Sequence, residues 1–409
     1  MTEAMLVGGV RTPVGRYGGA LSSVRPDDMA ALVIKEAIER AGIDPEVVDE
    51  VILGNANGAG EENRNVARMA WLLNGYPDSV PGITVNRLCA SGMSAIAMAT
   101  QMIKAGDADI VVAGGVESMS RAPWVMEKPA KAFATPGKVH DTSIGWRFPN
   151  PKFLSGELSR DGKFTYSMPE TAEEVARQYN ISREDADVFA AASHEKALAA
   201  IEAGRFKDEI VPVSVFDRKG NETVVDTDEG PRPGSTPEVL AKLRPVVKGG
   251  EVVTAGNASS LNDGASAIIV ASEEAIKKYG LKARARVVSN AAAGLAPEIM
   301  GMGPVPSTRK ALKKAGLEIS DLKAVEINEA FASQSLASIR ELGLDPEIVN
   351  RDGGAIALGH PLGSSGARIV ITLLGRMDRE LGETEGRKLG LATLCIGVGQ
   401  GQAIIVEAV

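Results

Sequence analysis

The chain has 409 residues, 44% of them apolar, with 45 glycines, only 4% aromatics and a formal net charge of −8. That length implies two or three units with substantial cores rather than one ordinary domain, and the acidic balance without any strongly basic block argues against nucleic acid as the main partner. Two cysteines far apart form no disulfide framework and fit a reducing cytoplasm, three histidines cannot assemble a zinc site of ordinary spacing, and the chain shows neither a signal peptide nor an apolar run long enough to span a membrane.

In chain order, Met5 to Val10 reads as a strand and Arg11-Thr-Pro-Val-Gly as the loop leaving it. Met29 to Ala41 has helical periodicity and stops at Gly42; Glu50 to Gly54 is a second strand and Asn65 to Leu73 a second helix. Ile83 to Val85 leads into Cys89, after which Met93, Ile96, Ala97 and Ile103 recur at helical spacing and Gly106 takes the C-cap role. A thiol at such a turn lies at a helix N-terminus, where unpaired N–H groups and the macrodipole favour the thiolate. A buried structural cysteine remains the plainer account of Cys89 taken alone. The strand Asp109 to Ala113 ends in Gly114-Gly115, and strands alternating with helices point to a parallel α/β layer.

From Arg121 to about Gly250 the texture changes. Pro, Lys, Trp and Phe cluster without a clear period between Pro123 and Phe164, charged amphipathic helices follow near Thr171–Tyr179 and Arg183–Ala203, and Asp226 to Pro237 is polar and turn-rich. Irregular stretches of this length are commonly functional, and this one reads as an inserted loop domain.

The second half then repeats the first. Arg284 to Asn290 is a strand, Ser307 to Ala315 a helix ending at Gly316, and Ala324 to Ile327 a strand answering Val51–Leu53. Ser365-Gly366 and the helix Ala367–Met377 answer Ser91-Gly92 and its helix; Leu391 to Ile396 answers Asp109 to Ala113. Ala403-Ile-Ile-Val closes this half as Ala267-Ile-Ile-Val closes the first, so the first half is interrupted between its last two strands. The division is 1–120 with 251–272, the insertion 121–250, and 273–409.

Three stretches of the second half carry chemistry. Gly353-Gly-Ala-Ile-Ala-Leu-Gly-His-Pro-Leu-Gly-Ser-Ser-Gly sets His360 in a glycine-dense loop before a helix, and the repeat puts that loop opposite the Cys89 turn, as a Cys–His pair for thiolate activation requires. Thr393-Leu-Cys-Ile-Gly-Val-Gly-Gln-Gly puts Cys395 at a strand end ahead of a glycine-rich hairpin, whose backbone N–H groups could form an oxyanion hole. Glu326-Ile-Asn-Glu-Ala-Phe ends a strand at Asn328, able to orient a water or equally to cap a helix.

Asn86-Arg-Leu-Cys-Ala-Ser-Gly, Gly114-Gly-Val-Glu-Ser-Met-Ser, Thr254-Ala-Gly-Asn-Ala-Ser-Ser-Leu-Asn-Asp-Gly-Ala, Asn328-Glu-Ala-Phe, Gly353-Gly-Ala-Ile-Ala-Leu-Gly-His-Pro and Cys395-Ile-Gly-Val-Gly-Gln-Gly, in this order, resemble the thiolases, the acetyl-CoA acyltransferases, over essentially the whole chain. The resemblance implies a thiolase-like fold of two similar βαβαβαββ halves, packed in five α-β-α-β-α layers with an inserted loop domain that binds CoA. It implies reversible CoA-dependent cleavage of a 3-oxoacyl-CoA, or the reverse Claisen condensation, with CoA as co-substrate and no permanently bound cofactor or metal. Cys89 would be the acylated nucleophile, His360 its base, and Cys395 the group moving the α-proton of acetyl-CoA. Asn328 would hold the water of one oxyanion hole, and the N–H groups of Cys89 and Gly397 would form the other. Ser259 would contact the pantetheine, Arg232 the adenine nucleotide end, and Met168, Ala330 and Phe331 the acyl chain. A cytoplasmic homotetramer is implied, part of Pro123–Trp146 joining its dimers.

Ser167-Met-Pro stands where many short-chain members read His-Met-Gly, and Val398 and Gln400 where many read Gly and Met. With Ile144-Gly-Trp-Arg-Phe, these departures are similar to the 3-oxoadipyl-CoA thiolase branch of aromatic degradation and to the bacterial degradative thiolases near it, and argue against a strict acetoacetyl-CoA preference. Arg147 is a candidate partner for a substrate carboxylate. A ketoacyl synthase is disfavoured because those enzymes typically lack a second catalytic cysteine, and a non-catalytic acyl-CoA or lipid-binding protein because Cys89, His360 and Cys395 are all present.

Overall fold

The computed structural model describes residues 2–155, 157–158, 163–382 and 385–409. The first half runs β1 (Ala4–Arg11), α1 (Pro26–Ala41), β2 (Glu50–Gly54), α2 (Val66–Leu73), β3 (Gly82–Val85), α3 (Ser91–Ala105), β4 (Ile110–Ser118) and, after the long excursion 119–261, β5 (Asn262–Ser272). The second runs β6 (Ala283–Gly294), α6 (Pro304–Ala315), β7 (Leu322–Ile327), α7 (Ala332–Leu342), α8 (Leu362–Leu381), β8 (Leu389–Ile396) and β9 (Gln400–Ala408), α4 (Met168–Gln178) and α5 (Arg183–Glu202) lying in the excursion. Local chemistry sets the ends: Pro26 opens α1 with Asp27 and Asp28 in its first turn, and Gly42, at φ 69°, closes it. Gly106, at φ 81°, closes α3 in the same way.

The main strands form one sheet in the order β7-β8-β9-β6-β1-β5-β4-β2-β3, with the two-residue strand Gly15–Arg16 paired to β5. Each half repeats one order, its first strand beside its last, then its fourth and its second. The third strand, β3 in the first half, shrinks in the second to a single parallel bridge between Val325 and Val349. The halves join where β1 pairs β6 through Met5–Arg286, Leu6–Ala285 and Val7–Ala283.

Helices cover this sheet in five layers. α1 and α2 bury Met29, Ile34, Ile38 and Trp71 against the outer face of the first half, and α6 and α7 bury Leu312 and Leu342 against that of the second. Between the halves, α3 and α8 share one core: Met93 and Ile96 meet Ile369, Val370 and Leu373, flanked by Ile52 and Ile268 from one half and Leu394 and Ile404 from the other. These two helices cross at small residues. A Cβ on Gly92 would lie 2.7 Å from the carbonyl oxygen of Gly363 and 2.9 Å from the Ala367 nitrogen, and one on Gly366 would lie 2.5 Å from the Met93 nitrogen. Any side chain there forces the helices apart.

Three expectations need correction. The sheet is mixed: pairs made by helical crossovers (β2 with β3 and β4, β7 with β8) are parallel, while the last strand of each half returns antiparallel. β4 does not stop at Gly114-Gly115 but pairs β5 out to Ser118; the glycines are there because Ser266 and Gly363 backbones pack on them. α8 begins at Leu362, five residues before Ala367, because Pro361 fixes its N-cap and its early glycines are helical close-packing positions rather than loop, Gly363 against Val116 and Asn55 and Gly366 against Met93.

In the excursion, short hairpins pair Trp124–Met126 with Val139–Asp141 and Val213–Phe216 with Glu222–Val225. α4 opens with a reciprocal Ser167–Glu170 capping box. Among the described residues no helix is long and apolar enough to cross a membrane.

Candidate active site

Cys89 sits in a single 3-10 turn, Leu88–Ala90, immediately before α3. The turn requires Leu88 at φ 47°, a conformation unfavourable for a side chain bearing a Cβ. Side chains on both flanks hold it. The Leu88 N–H donates to Asn86 Oδ1 (2.9 Å) while Asn86 Nδ2 donates to the Ala56 carbonyl (3.0 Å). Ser91 Oγ accepts the Arg87 N–H (2.9 Å) and donates to the Leu88 carbonyl (2.6 Å). The expected electrostatics need correction here: burial pushes the Cys89 thiol up to about 11, only partly offset by the backbone N–H groups of Gly397 and of Cys89 itself. Enclosure by the walls outweighs the helix end, so the resting group is the thiol.

The Gly397 N–H comes from the β8–β9 hairpin, where Val398 holds φ 63°. A Cβ on Gly397 would lie 3.2 Å from Leu88 Cδ1 and 3.7 Å from Met168 Sδ, so glycine keeps that floor open. Cys395, two residues earlier on β8, is buried with Ala172, Val253, Met300, Ala330 and Phe331, and Met168 packs on the same cluster. Burial raises its thiol well above the ordinary range, and the neighbouring Cys89 raises it further.

His360 ends the glycine-dense loop and is buried. Its backbone N–H donates to Asn262 Oδ1 (2.8 Å), and its Nδ1 lies 2.6 Å from Ser365 Oγ. Ser365 Oγ donates to the Pro361 carbonyl (2.9 Å), so Nδ1 carries the proton toward Ser365 and Nε2 is left with the lone pair. Burial, followed by the Arg368 charge, pushes His360 down to about 3, which keeps the imidazole neutral. Asn328 Nδ2 is 3.4 Å from both ring nitrogens, which sets the amide over the ring face; its buried Oδ1 has no partner among the described residues. Asn328 is not a helix cap: it follows β7, and α7 starts at Ala332 with Phe331 as its N-cap. No hydrogen bond links Cys89 to His360 among the described residues.

A cavity of about 550 Å³ opens onto Cys89, Leu88, Met168, Gly397 and Val398, with Asn57, Glu117, Ile144, Trp146, Arg147 and Leu362 among its walls. Of the residues assigned to the acyl chain, Met168 lines it directly, whereas Ala330 and Phe331 lie behind, beside Cys395. Ser259 is tied to that same segment, its N–H donating to the Ala330 carbonyl (2.9 Å) and Ala258 bridging Phe331. Arg232 is not among the cavity walls; its N–H donates to His194 Nδ1 (3.2 Å), a ring that burial and the Arg232 and Arg16 charges push down to about 4.

Two polar groups escaped the sequence reading. Ser365 fixes the imidazole tautomer. Glu117, on β4, accepts the N–H groups of Ala56 (2.9 Å), Asn57 (3.2 Å) and Gly363 (2.8 Å), stitching a loop of one half to the start of α8 in the other. Burial pushes it up to about 7. The available signal was a carboxylate closing an otherwise apolar strand, Ile110 to Glu117.

Models of two domains match the chain: "Thiolase, N-terminal domain" over residues 4–274 and "Thiolase, C-terminal domain" over 281–408. The chain is 54% identical over 410 residues to a Pseudomonas aeruginosa protein named beta-ketoadipyl-CoA thiolase, covering 100% of this chain and 99% of the relative. It is 52% identical over 412 residues to an Escherichia coli 3-oxoadipyl-CoA/3-oxo-5,6-dehydrosuberyl-CoA thiolase, covering all of both. The crystal structure of the Bacillus anthracis acetyl-CoA acetyltransferase aligns with TM-score 0.91 at 42% identity, over 100% of this chain and 99% of the other.

Proposed function

The chain belongs to the thiolase family and is an acyltransferase, and from that premise we propose that its substrate is 3-oxoadipyl-CoA, cleaved with CoA to succinyl-CoA and acetyl-CoA. The observation that carries the chemistry is the placement of Cys89 at the cavity floor with the Gly397 N–H turned to its sulfur and Cys395 beside it. The names and 52–54% identities of the relatives support the substrate.

In this reading His360 Nε2 takes the Cys89 proton as sulfur attacks the 3-oxo carbon. The developing oxyanion is met by N–H groups of Cys89 and Gly397 or by the Asn328 water with His360. The C2–C3 bond breaks, its electron pair passes to the acetyl-CoA enolate, and the Cys395 thiol protonates C2. The Cys395 thiolate then takes the thiol proton of an incoming CoA, whose sulfur attacks succinyl-Cys89; Cys89 leaves as thiolate and recovers its proton from His360. Each thioester is exchanged for another, so the sequence runs in either direction. Imidazolium is costly at this buried ring, so no Cys89–His360 ion pair stands before attack; the charge appears as sulfur attacks and lasts until Cys89 leaves. Ser259 faces the pantetheine and Arg232 the nucleotide end. CoA is a co-substrate, no cofactor is held permanently, and the working form is a cytoplasmic homotetramer whose dimers meet through part of 123–146, where Trp124, Met126 and Phe133 stand exposed.

Incubation with 3-oxoadipyl-CoA without CoA is expected to leave one succinyl group on Cys89, seen by intact mass. Cys89→Ala should carry none. Cys395→Ala should still be acylated by succinyl-CoA, more slowly because the leaving CoA thiolate loses its proton donor, yet lose deuterium exchange at the acetyl α-carbon by about 100-fold or more. Turnover by Cys89→Ala, or persistent exchange in Cys395→Ala, would overturn the roles.

A further inference from the structure

Arg147 stands in the wall of the cavity that holds Cys89. Its neighbours there are mostly apolar or neutral: Leu88, Met119, Ile144, Trp146 and Met168. Among the described residues the guanidinium meets only two acceptors, both uncharged and both distant, the Thr142 carbonyl from Nη1 (3.4 Å) and Asn57 Oδ1 from Nη2 (3.3 Å). A guanidinium has five N–H donors, so most of its fork is uncommitted. A half-buried cation facing an apolar cavity without a counter-ion is costly unless something that enters the cavity neutralises it.

The supports are built. Asn57 is buried; its Nδ2 donates to the Thr142 carbonyl (3.1 Å) and Oγ1 (2.9 Å), which leaves Oδ1 turned to Arg147. Thr142 Oγ1 donates to the Pro123 carbonyl (2.6 Å). The wall carboxylate Glu117 is taken up by three backbone N–H groups and makes no ion pair with Arg147 among the described residues. Among the described residues the cavity therefore presents an uncommitted positive fork, and its wall carboxylate, Glu117, is already occupied.

Resting on the reading above, we propose that Arg147 is the specificity residue for acyl chains ending in a carboxylate: its fork takes the ω-carboxylate while Cys89 attacks the 3-oxo carbon. Bidentate guanidinium–carboxylate pairing is the geometry such a fork is made for, and a lysine cannot reproduce it. Acyl chains ending in a methyl group leave the cation unneutralised, so the cavity selects against them as well as for the diacid.

The test compares kcat/KM for 3-oxoadipyl-CoA and its methyl-terminated isostere 3-oxoheptanoyl-CoA in the intact enzyme, Arg147→Gln and Arg147→Lys. The intact enzyme should prefer the diacid; Arg147→Gln should lower the ratio about 30-fold, and Arg147→Lys only partly restore it. Succinyl-CoA and its methyl-terminated isostere pentanoyl-CoA, used as competing ligands, should show the same change of ratio. An intact enzyme that prefers 3-oxoadipyl-CoA beside an Arg147→Gln ratio within twofold of it overturns Arg147 alone. Equal loss on both substrates, with a lower Tm, makes Arg147 a structural tether and also overturns it. Preference for a different ω-carboxylated chain, lost in Arg147→Gln, overturns 3-oxoadipyl-CoA as substrate and supports Arg147. An intact enzyme with no preference for any such chain overturns both.

Discussion

The starts of α3 and α8 are two versions of one structure put to different uses. Aligning Ser91-Gly92 with Ser365-Gly366 sets Asn86 against His360 and Cys89 against Gly363. Both glycines serve the helix crossing. Both serines bond the carbonyl near the helix start, Ser91 to Leu88 and Ser365 to Pro361. What differs is what else the serine holds. Ser91 accepts the Arg87 N–H and so locks the strained turn that presents a thiol; Ser365 accepts from an imidazole. Position 363 can carry no side chain at all, since a Cβ there would lie 2.8 Å from Asn55 Cα. The duplicated scaffold thus supplies two equivalent helix starts, and division of labour comes from which one has room for a reactive side chain and which needs to be a wall.

The sharpest break of this comparison is at the Asn86–His360 pair. His360→Ala removes a general base and should lower kcat by about 1,000-fold with little change in Tm. Asn86→Ala loosens the Leu88 turn and should cost at most about tenfold, accompanied by about 1 kcal/mol of stability. Comparable kcat losses in the two variants would mean that the base is not His360. The serine pair comes next. Ser365→Ala frees the imidazole to adopt either tautomer and should lower kcat about 10- to 30-fold, whereas Ser91→Ala should show mainly as a Tm decrease worth about 1 kcal/mol. The smallest effect is a flat line. With Cys89 raised to about 11 and His360 lowered to about 3, the neutral pair persists between those limits. Titration of this pair should therefore change the acylation rate by less than about twofold from about pH 6 to 9, any limb near 7 belonging to Glu117. An acid limb near 6.5 that disappears in His360→Ala would show that the ring titrates normally. Stability follows the same shift with a definite sign: the unfolded chain takes up a proton at His360 that the folded chain refuses, so this group's contribution is lost as pH falls from 6.5 toward about 3.

Much of this site is legible in the chain because reactive residues stand at punctuation. Cys89, Asn328, His360 and Cys395 each lie at a turn, a strand end or a glycine loop, where local patterns speak most clearly. Features set by distant partners are less visible. Glu117 receives the N–H of Gly363, a partner 246 positions away, and β4 outruns its glycines only because β5 is beside it. The opening turn of α8 looks like loop because its glycines answer to distant partners rather than to their own helix, Gly366 to Met93 of α3 and Gly363 to Val116 and Asn55. The upward shift of the Cys89 thiol was equally out of reach, since enclosure by segments from 56–57 to 397–398 decides it.

The seam between β1 and β6 bears on how the protein is made. Residues 4–10 find their strand partners in 267–272 on one side and 283–286 on the other. Roughly 290 residues must therefore leave the ribosome before the first strand can be completed, about 15 to 60 s at ordinary elongation rates. Until then an apolar strand with two open edges is available to any other nascent chain. Polysomes are where a weakened seam would first betray itself, as aggregates on translating ribosomes rather than as a lower melting point of the finished enzyme.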